Sequence, residues 1–146
     1  MDPISVPLRL DEGAMVPEYK TEGSAGADLH ANLREPLLLA PMERVAVPTG
    51  IRIELPTGYE AQVRPRSGLA LEKGLTCLNS PGTVDSDYRG EIKVILINLG
   101  QNPVRVEPGD RIAQLVVARY TKARFEPKEQ ISASVRGDGG FGSTGA

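Results

Sequence analysis

The sequence predicts an all-β fold: a jelly-roll-like distorted β-barrel with one short helix and a flexible glycine-rich C-terminal arm. Three observations lead there. Sixteen glycines and twelve prolines stand among 146 residues, roughly a fifth of the chain where about 12% is usual, and both types disfavour helix interiors. Turn signals recur at Pro48-Thr49-Gly50, Pro56-Thr57-Gly58, Ser67-Gly68, Lys73-Gly74, Pro81-Gly82, Arg89-Gly90, Leu99-Gly100 and Pro108-Gly109, close to the spacing of roughly 8–12 residues that marks sandwiches and barrels. Between them the apolar residues follow strand patterns.

Taken in order, Leu10 to Glu12 reads as a single helical turn. Ile51 to Leu55 and Tyr59 to Val63 alternate with period two, as half-buried strands do. Ser67 to Lys73 predicts the one short helix. Ile92 to Leu99 is a nearly continuous β-branched run, the pattern of a strand buried on both faces, and Ile112 to Val117 is similar. Residues 1–131 therefore read as a single β domain. Residues 132–146 hold five glycines, no proline and one large apolar side chain, Phe141. Such a segment cannot bury enough surface to offset its ordering entropy, so it reads as an arm.

Composition narrows the function. With 17 Lys and Arg against 19 Asp and Glu the net charge is −2, which argues against a general nucleic-acid binder. Hydrophobic residues make up 40% and aromatics 4%, with no Trp, so the core must be aliphatic. One cysteine, Cys77, and one histidine, His30, leave neither a disulfide nor a Cys/His zinc cluster. Met1-Asp2-Pro3-Ile4-Ser5 lacks the pattern of a secretory leader. No apolar run approaches the ~20 residues a membrane span needs. The expectation is a cytoplasmic protein with no membrane partner.

Four segments carry candidate chemistry. In Gly82 to Glu91, Asp85 and Tyr88 read either as ordinary residues of a polar hairpin or as a general base beside an aromatic wall. Pro65-Arg66-Ser67-Gly68 leads from a strand into a helix, which suits either a serine cap or an anion met by free amides, a hydroxyl and a guanidinium. Asp28, in Ser24 to Leu29, reads as a metal-linked carboxylate or a strand-edge residue. The tail from Arg136 to Gly145 offers unhindered amides, two hydroxyls, an arginine and Phe141, as a lid over phosphates and a base would. Gly109 to Leu115 is uninformative alone.

Together these segments resemble the homotrimeric deoxyuridine triphosphate nucleotidohydrolases, the dUTPases, in their bacterial form. Five family motifs stand in order: Ala25 to Leu29, Pro65 to Ala70, Gly82 to Glu91, Gly109 to Leu115 and Arg136 to Gly145. The resemblance implies Mg²⁺-dependent hydrolysis of dUTP to dUMP and pyrophosphate, which limits uracil incorporation into DNA and supplies dUMP for thymidylate synthesis. It implies that Asp85 activates the water attacking the α-phosphorus, and that Tyr88 packs on the deoxyribose and excludes a 2′-hydroxyl. Uracil would be read around Thr83, Val84 and Lys93, with Asn79 contributing its amide. Arg66, Ser67, Gly68 and Gln114 match positions that hold the triphosphate. In the tail, Arg136 matches one that meets the γ-phosphate, while Phe141, Gly142 and Ser143 complete the lid. Mg²⁺ would be carried chiefly by the phosphates, with Asp28 reaching its water shell. Three subunits would share each site. No role is implied for His30.

Two other readings stand beside this one. A dCTP deaminase shares the fold but uses a glutamate where Ile95 stands here, and isoleucine cannot move a proton. A non-catalytic trimer that only binds dUTP is the third.

Overall fold

The structure is a computed structural model and describes residues 2–145. In chain order the described elements are β1 (Leu8–Leu10), β2 (Ala27–His30), β3 (Leu37–Leu39), β4 (Arg44–Ile53), β5 (Tyr59–Arg64), α1 (Ser67–Lys73), β6 (Leu75–Cys77), β7 (Gly82–Val84), β8 (Ile92–Asn98), β9 (Val104–Val106) and β10 (Arg111–Arg119). The strands form three sheets, ordered β1-β4-β8-β6, β2-β10-β5-β7 and β3-β9, with antiparallel pairing throughout. None of these sheets closes on itself. The jelly-roll-like body is thus built of open sheets around one core, which is the sense in which its barrel is distorted. That core is aliphatic, as the composition requires: Leu29, Leu39, Val47, Ile51, Ala61, Val63, Val94, Leu96, Val106 and Leu115 all belong to it, from all three sheets. Among the described residues no helix is long and apolar enough to cross a membrane.

The strands read at Tyr59 to Val63 and Ile112 to Val117 and the helix at Ser67 to Lys73 stand where the sequence puts them. β4 begins at Arg44 rather than Ile51, and β1, β2, β3, β6, β7 and β9 have no strand reading in the sequence. Three further differences stand out. Leu10 is the last residue of β1 and pairs with Ile51, so the helical turn expected at Leu10 to Glu12 is absent. Three residues cannot sustain a helix against its nucleation cost, and the edge of β4 offers a ladder instead. Pro48-Thr49-Gly50 is not a boundary but a bulge within β4. Pro48 pairs with Lys93 and Ile51 with Ile92, leaving Thr49 and Gly50 extra. Gly50 has φ +70° there, and an added Cβ would lie 2.5 Å from the Asn32 amide nitrogen and 2.7 Å from Ala14 Cβ, so only glycine fits.

The third difference concerns β8, which is buried on both faces only at its end. Lys93 is exposed and Ile95 half-buried between buried Val94 and Leu96. At Ile97 and Asn98 both faces are covered. Asn98, fully buried, donates from Nδ2 to the carbonyls of Leu39 at 3.0 Å and Asn102 at 2.8 Å, while its Oδ1 accepts the Gly100 N–H at 2.9 Å. Through these bonds it ties the β3–β9 sheet to β8. Asn98→Ala would strand several buried polar groups, each worth about 1–3 kcal/mol. Chemical denaturation should report a loss of about 2–4 kcal/mol; a loss below about 1 kcal/mol would mean the two sheets do not depend on this side chain.

Candidate functional site

Gly82 to Glu91 does not form the hairpin expected of it. β7 pairs with β5 and β8 pairs with β4 and β6, so the loop between them carries the chain from the edge of one sheet into the interior of another. Sheet partners are chosen by contacts distant in sequence, which a local turn pattern does not report. The two strands stand on either side of a cleft of about 300 Å³ lined by Val63, Asn79, Thr83, Val84, Asp85, Tyr88, Glu91, Lys93 and Ile95, among others. Asp85, Thr83, Asn79, Lys93 and Tyr88 are exposed at it, while Val84 is buried in its wall. A turn closes the loop tip, with the Tyr88 N–H donating to the Asp85 carbonyl at 3.1 Å. The tyrosine hydroxyl donates to the Glu91 carbonyl at 2.8 Å, which anchors the ring at the same cleft that Asp85 lines. This combination of an apolar floor with a few polar groups at the rim suits a small planar ligand.

A second, basic recess of about 220 Å³ includes Arg66, Lys73, Arg105, Asp110 and Arg111 in its lining. Arg66, not Ser67, is the N-cap of α1, and no side chain caps this helix. The serine-cap reading therefore fails, and Ser67 and Gly68 stand exposed in the first turn. The Arg66 guanidinium donates to the Arg111 carbonyl at 3.2 Å. Arg111 in turn reaches buried Asp28, Nη1 to Oδ2 at 3.3 Å. Arg111 is the residue sequence reasoning missed here; its only signal was its place in the fourth motif. Gln114 lies opposite Asp28 on β2 and Arg64 on β5. It also packs on Gly26, where a Cβ would stand 3.0 Å from the Gln114 Cβ. Four of the five motifs thus fall into two groups, and the cleft and the basic recess share no lining residue.

The dUTPase family model matches residues 12–145. The chain belongs to the dUTPase family. As a dUTPase it is a hydrolase of nucleotide metabolism. It is 61% identical over 137 residues to the deoxyuridine 5'-triphosphate nucleotidohydrolase of Treponema denticola, covering 94% of this chain and 95% of that one. The dUTPase of Staphylococcus bacteriophage 80alpha, solved with dUPNHPP, superposes with TM-score 0.89 at 25% identity, over 97% of this chain and 99% of that one. A mutant dUTPase of phage phi11 of S. aureus, described as coordinating a structural Mg(II) ion, superposes with TM-score 0.78 at 21% identity, over 87% of this chain and 98% of that one.

The dUTPase tail stays apart from both groups. The bond from the Tyr120 N–H to the Gly58 carbonyl at 3.0 Å is the last to the body among the described residues. Beyond it the Arg136 guanidinium donates to the Gly139 carbonyl at 2.7 Å, the Arg136 carbonyl accepts the Gly139 N–H at 3.2 Å, and the Ser143 N–H donates to the Gly140 carbonyl at 3.0 Å, all within the tail. Phe141, Gly142 and Ser143 are exposed. Metal fit is limited: among the described residues no three His, Cys, Asp or Glu side chains gather around a common point. Asp28, already paired with Arg111, suits a contact through water with an ion carried by a ligand rather than direct coordination.

His30, also buried, faces Arg111 across the β2–β10 pair, and its Nδ1 has no hydrogen-bond partner. Burial pushes its pKa below 6.5, aided by the positive charges of Lys20 and Arg111 and opposed by the carboxylates of Asp28 and Glu18. Because the folded value is the lower one, the unfolded chain takes up this proton first. The stability associated with His30 is therefore fully present above the unfolded value near 6.5 and is lost as pH falls toward the folded value. Melting temperatures compared at about pH 7.5 and about pH 5.5 should fall less for His30→Gln than for the native chain; equal falls would remove His30 as the cause.

Proposed function

We propose that the chain hydrolyses dUTP to dUMP and pyrophosphate. The observation that carries this reading is the pairing of an exposed carboxylate, Asp85, with the fixed Tyr88 ring at the rim of the small cleft. Asp85 takes a proton from water as the water oxygen attacks the α-phosphorus; the α–β bridging oxygen leaves with pyrophosphate. General-base help of this kind is typically worth roughly 10²–10⁴-fold. Uracil enters the cleft between β7 and β8 and meets the backbone near Thr83 and Val84, the Asn79 amide and the Lys93 end of β8. Tyr88 covers the sugar and leaves no room for a 2′-hydroxyl, a steric rejection rather than a lost attraction. Ile95 in the cleft wall argues by its chemistry against a deaminase role, since it holds no transferable proton.

The triphosphate binds at the basic recess lined by Arg66 and Arg111; Ser67 and Gly68, next to Arg66 in the chain, and Gln114, opposite Asp28, supply further donors. Phosphoryl transfer depends chiefly on positioning and charge neutralisation. Mg²⁺ would supply that neutralisation, with Asp28 the residue that would hold its water shell. Resemblance to the family implies that the site is completed between copies of a homotrimer, with the tail of a further copy closing over it through Arg136, Phe141, Gly142 and Ser143. The separation of cleft and recess on one chain supports that reading. Residues 132–146 act as that arm on the β domain of residues 1–131. The reaction runs in the cytoplasm, a reducing compartment that suits the free buried thiol of Cys77.

Asp85→Asn should still bind nucleotide yet lose turnover by roughly 10²–10⁴-fold. The check is pyrophosphate release with Mg²⁺ from dUTP, dCTP, dTTP and UTP in turn. Release from dUTP alone, reduced by that factor in the variant, is the expected result. Deamination of dCTP would favour the deaminase reading, and binding without release in the native chain would favour a non-catalytic dUTP binder.

A further inference from the structure

Glu91 closes the loop that bears Asp85 and Tyr88, and nothing in the chemistry above uses its side chain. Three bonds meet around it. Its carboxylate Oε2 accepts the Gly50 N–H at 2.9 Å, and its backbone carbonyl accepts the Tyr88 hydroxyl at 2.8 Å. One residue on, the Ile92 carbonyl accepts the hydroxyl of buried Thr49. Thr49 and Gly50 are the two extra residues of the β4 bulge, and the bulge is itself held. The Asp11 N–H donates to the Gly50 carbonyl, and the Asn32 N–H donates to the Pro48 carbonyl, both at 2.8 Å.

The loop needs such an anchor. β7 and β8 have different sheet partners, so no ladder between them fixes the residues from Asp85 to Glu91. A bulge leaves strand amides unpaired by the ladder, and the Gly50 N–H would be buried without a partner if Glu91 did not accept it. We propose that Glu91 is a positioning residue: its carboxylate latches the base of the loop to the β4 bulge, while its backbone carbonyl holds the Tyr88 ring. The distance from Asp85 to the reacting phosphorus and the packing of Tyr88 on the sugar then both depend on this one residue. The proposal rests on the reading of Asp85 and Tyr88 given above. It adds that the exclusion of ribonucleotides is set partly from the neighbouring strand, by a residue that need not touch substrate.

The test compares Glu91→Ala, Glu91→Met and Glu91→Gln in the full-length protein with Mg²⁺, Asp85→Asn being measured alongside. Glutamine keeps an acceptor for Gly50; alanine and methionine do not, and methionine keeps the length. The Ala and Met variants should lose roughly 10–100-fold in kcat, the scale of a small misplacement of reacting groups. KM for dUTP should change less than about threefold, and the preference for dUTP over UTP should narrow. Glu91→Gln should recover most of kcat and all of the preference. Amide hydrogen exchange at Gly50 reads the latch directly: slow in the native protein and in Glu91→Gln, fast in Glu91→Met. Unchanged kcat and preference in Glu91→Met, or no recovery with Gln, overturns the proposal. So does fast exchange at Gly50 in the native chain, a readout that needs no variant to fold. Normal turnover by Asp85→Asn would instead overturn the reading of Asp85, whatever Glu91 does.

Discussion

The chain must leave the edge strand of one sheet at Val84 and enter the interior of another at Ile92. Everything at the cleft follows from that crossing. Two strands that belong to different sheets cannot close against each other by hydrogen bonds, so a gap remains between them, walled by their side chains. Backbone groups of the crossing loop are satisfied locally instead, by the Tyr88-to-Asp85 turn, the Tyr88 hydroxyl, and the Arg89 guanidinium donating to the Ser86 carbonyl at 2.6 Å. A loop held this way presents Asp85 and Asp87 outward and the Tyr88 ring along the rim. The body underneath is rigid because its core is one continuous aliphatic cluster reaching all three sheets.

The basic recess obeys a different constraint. Asp28 is buried, and an unpaired buried carboxylate would be costly, so Arg111 is drawn to it. The Arg111 backbone carbonyl separately receives the Arg66 guanidinium, and with Arg105 three arginines line one recess. In a chain of net charge −2 this local basic concentration is a focused feature, the kind that draws a polyanion without making the whole surface basic.

Much of this was legible in the residues because turn chemistry is local. Pro56-Thr57-Gly58 and Pro108-Gly109 are turns in the structure, with Tyr59 N–H on the Pro56 carbonyl and Asp110 N–H on that of Glu107. The helix stands at Ser67–Lys73 as its pattern required. What stayed hidden is non-local. The β4 bulge shows the same Pro-Thr-Gly signal as a turn, and only its pairing with β8 tells the two apart. The division of β7 and β8 between sheets, and hence the cleft, has no signature within Gly82 to Glu91. Arg111 and Glu91 belong to recognised motifs, yet their partners Asp28 and Gly50 lie far off in the chain, so their particular contacts emerged only with the fold.

On the proposed function one chain carries two incomplete halves of a site, the Asp85 cleft and the Arg66 recess, and copies complete one another. Complementation tests it most directly. Asp85→Asn and Arg66→Ala chains, each inactive alone, are unfolded together in equal amounts, refolded, and assayed for pyrophosphate release from dUTP with Mg²⁺. If every site takes Asp85 from one copy and Arg66 from another, random assembly leaves about a quarter of sites with both groups intact, and activity returns to about that fraction. A mixture as inactive as its components would contradict the account, since it would place both residues of each working site on the same chain.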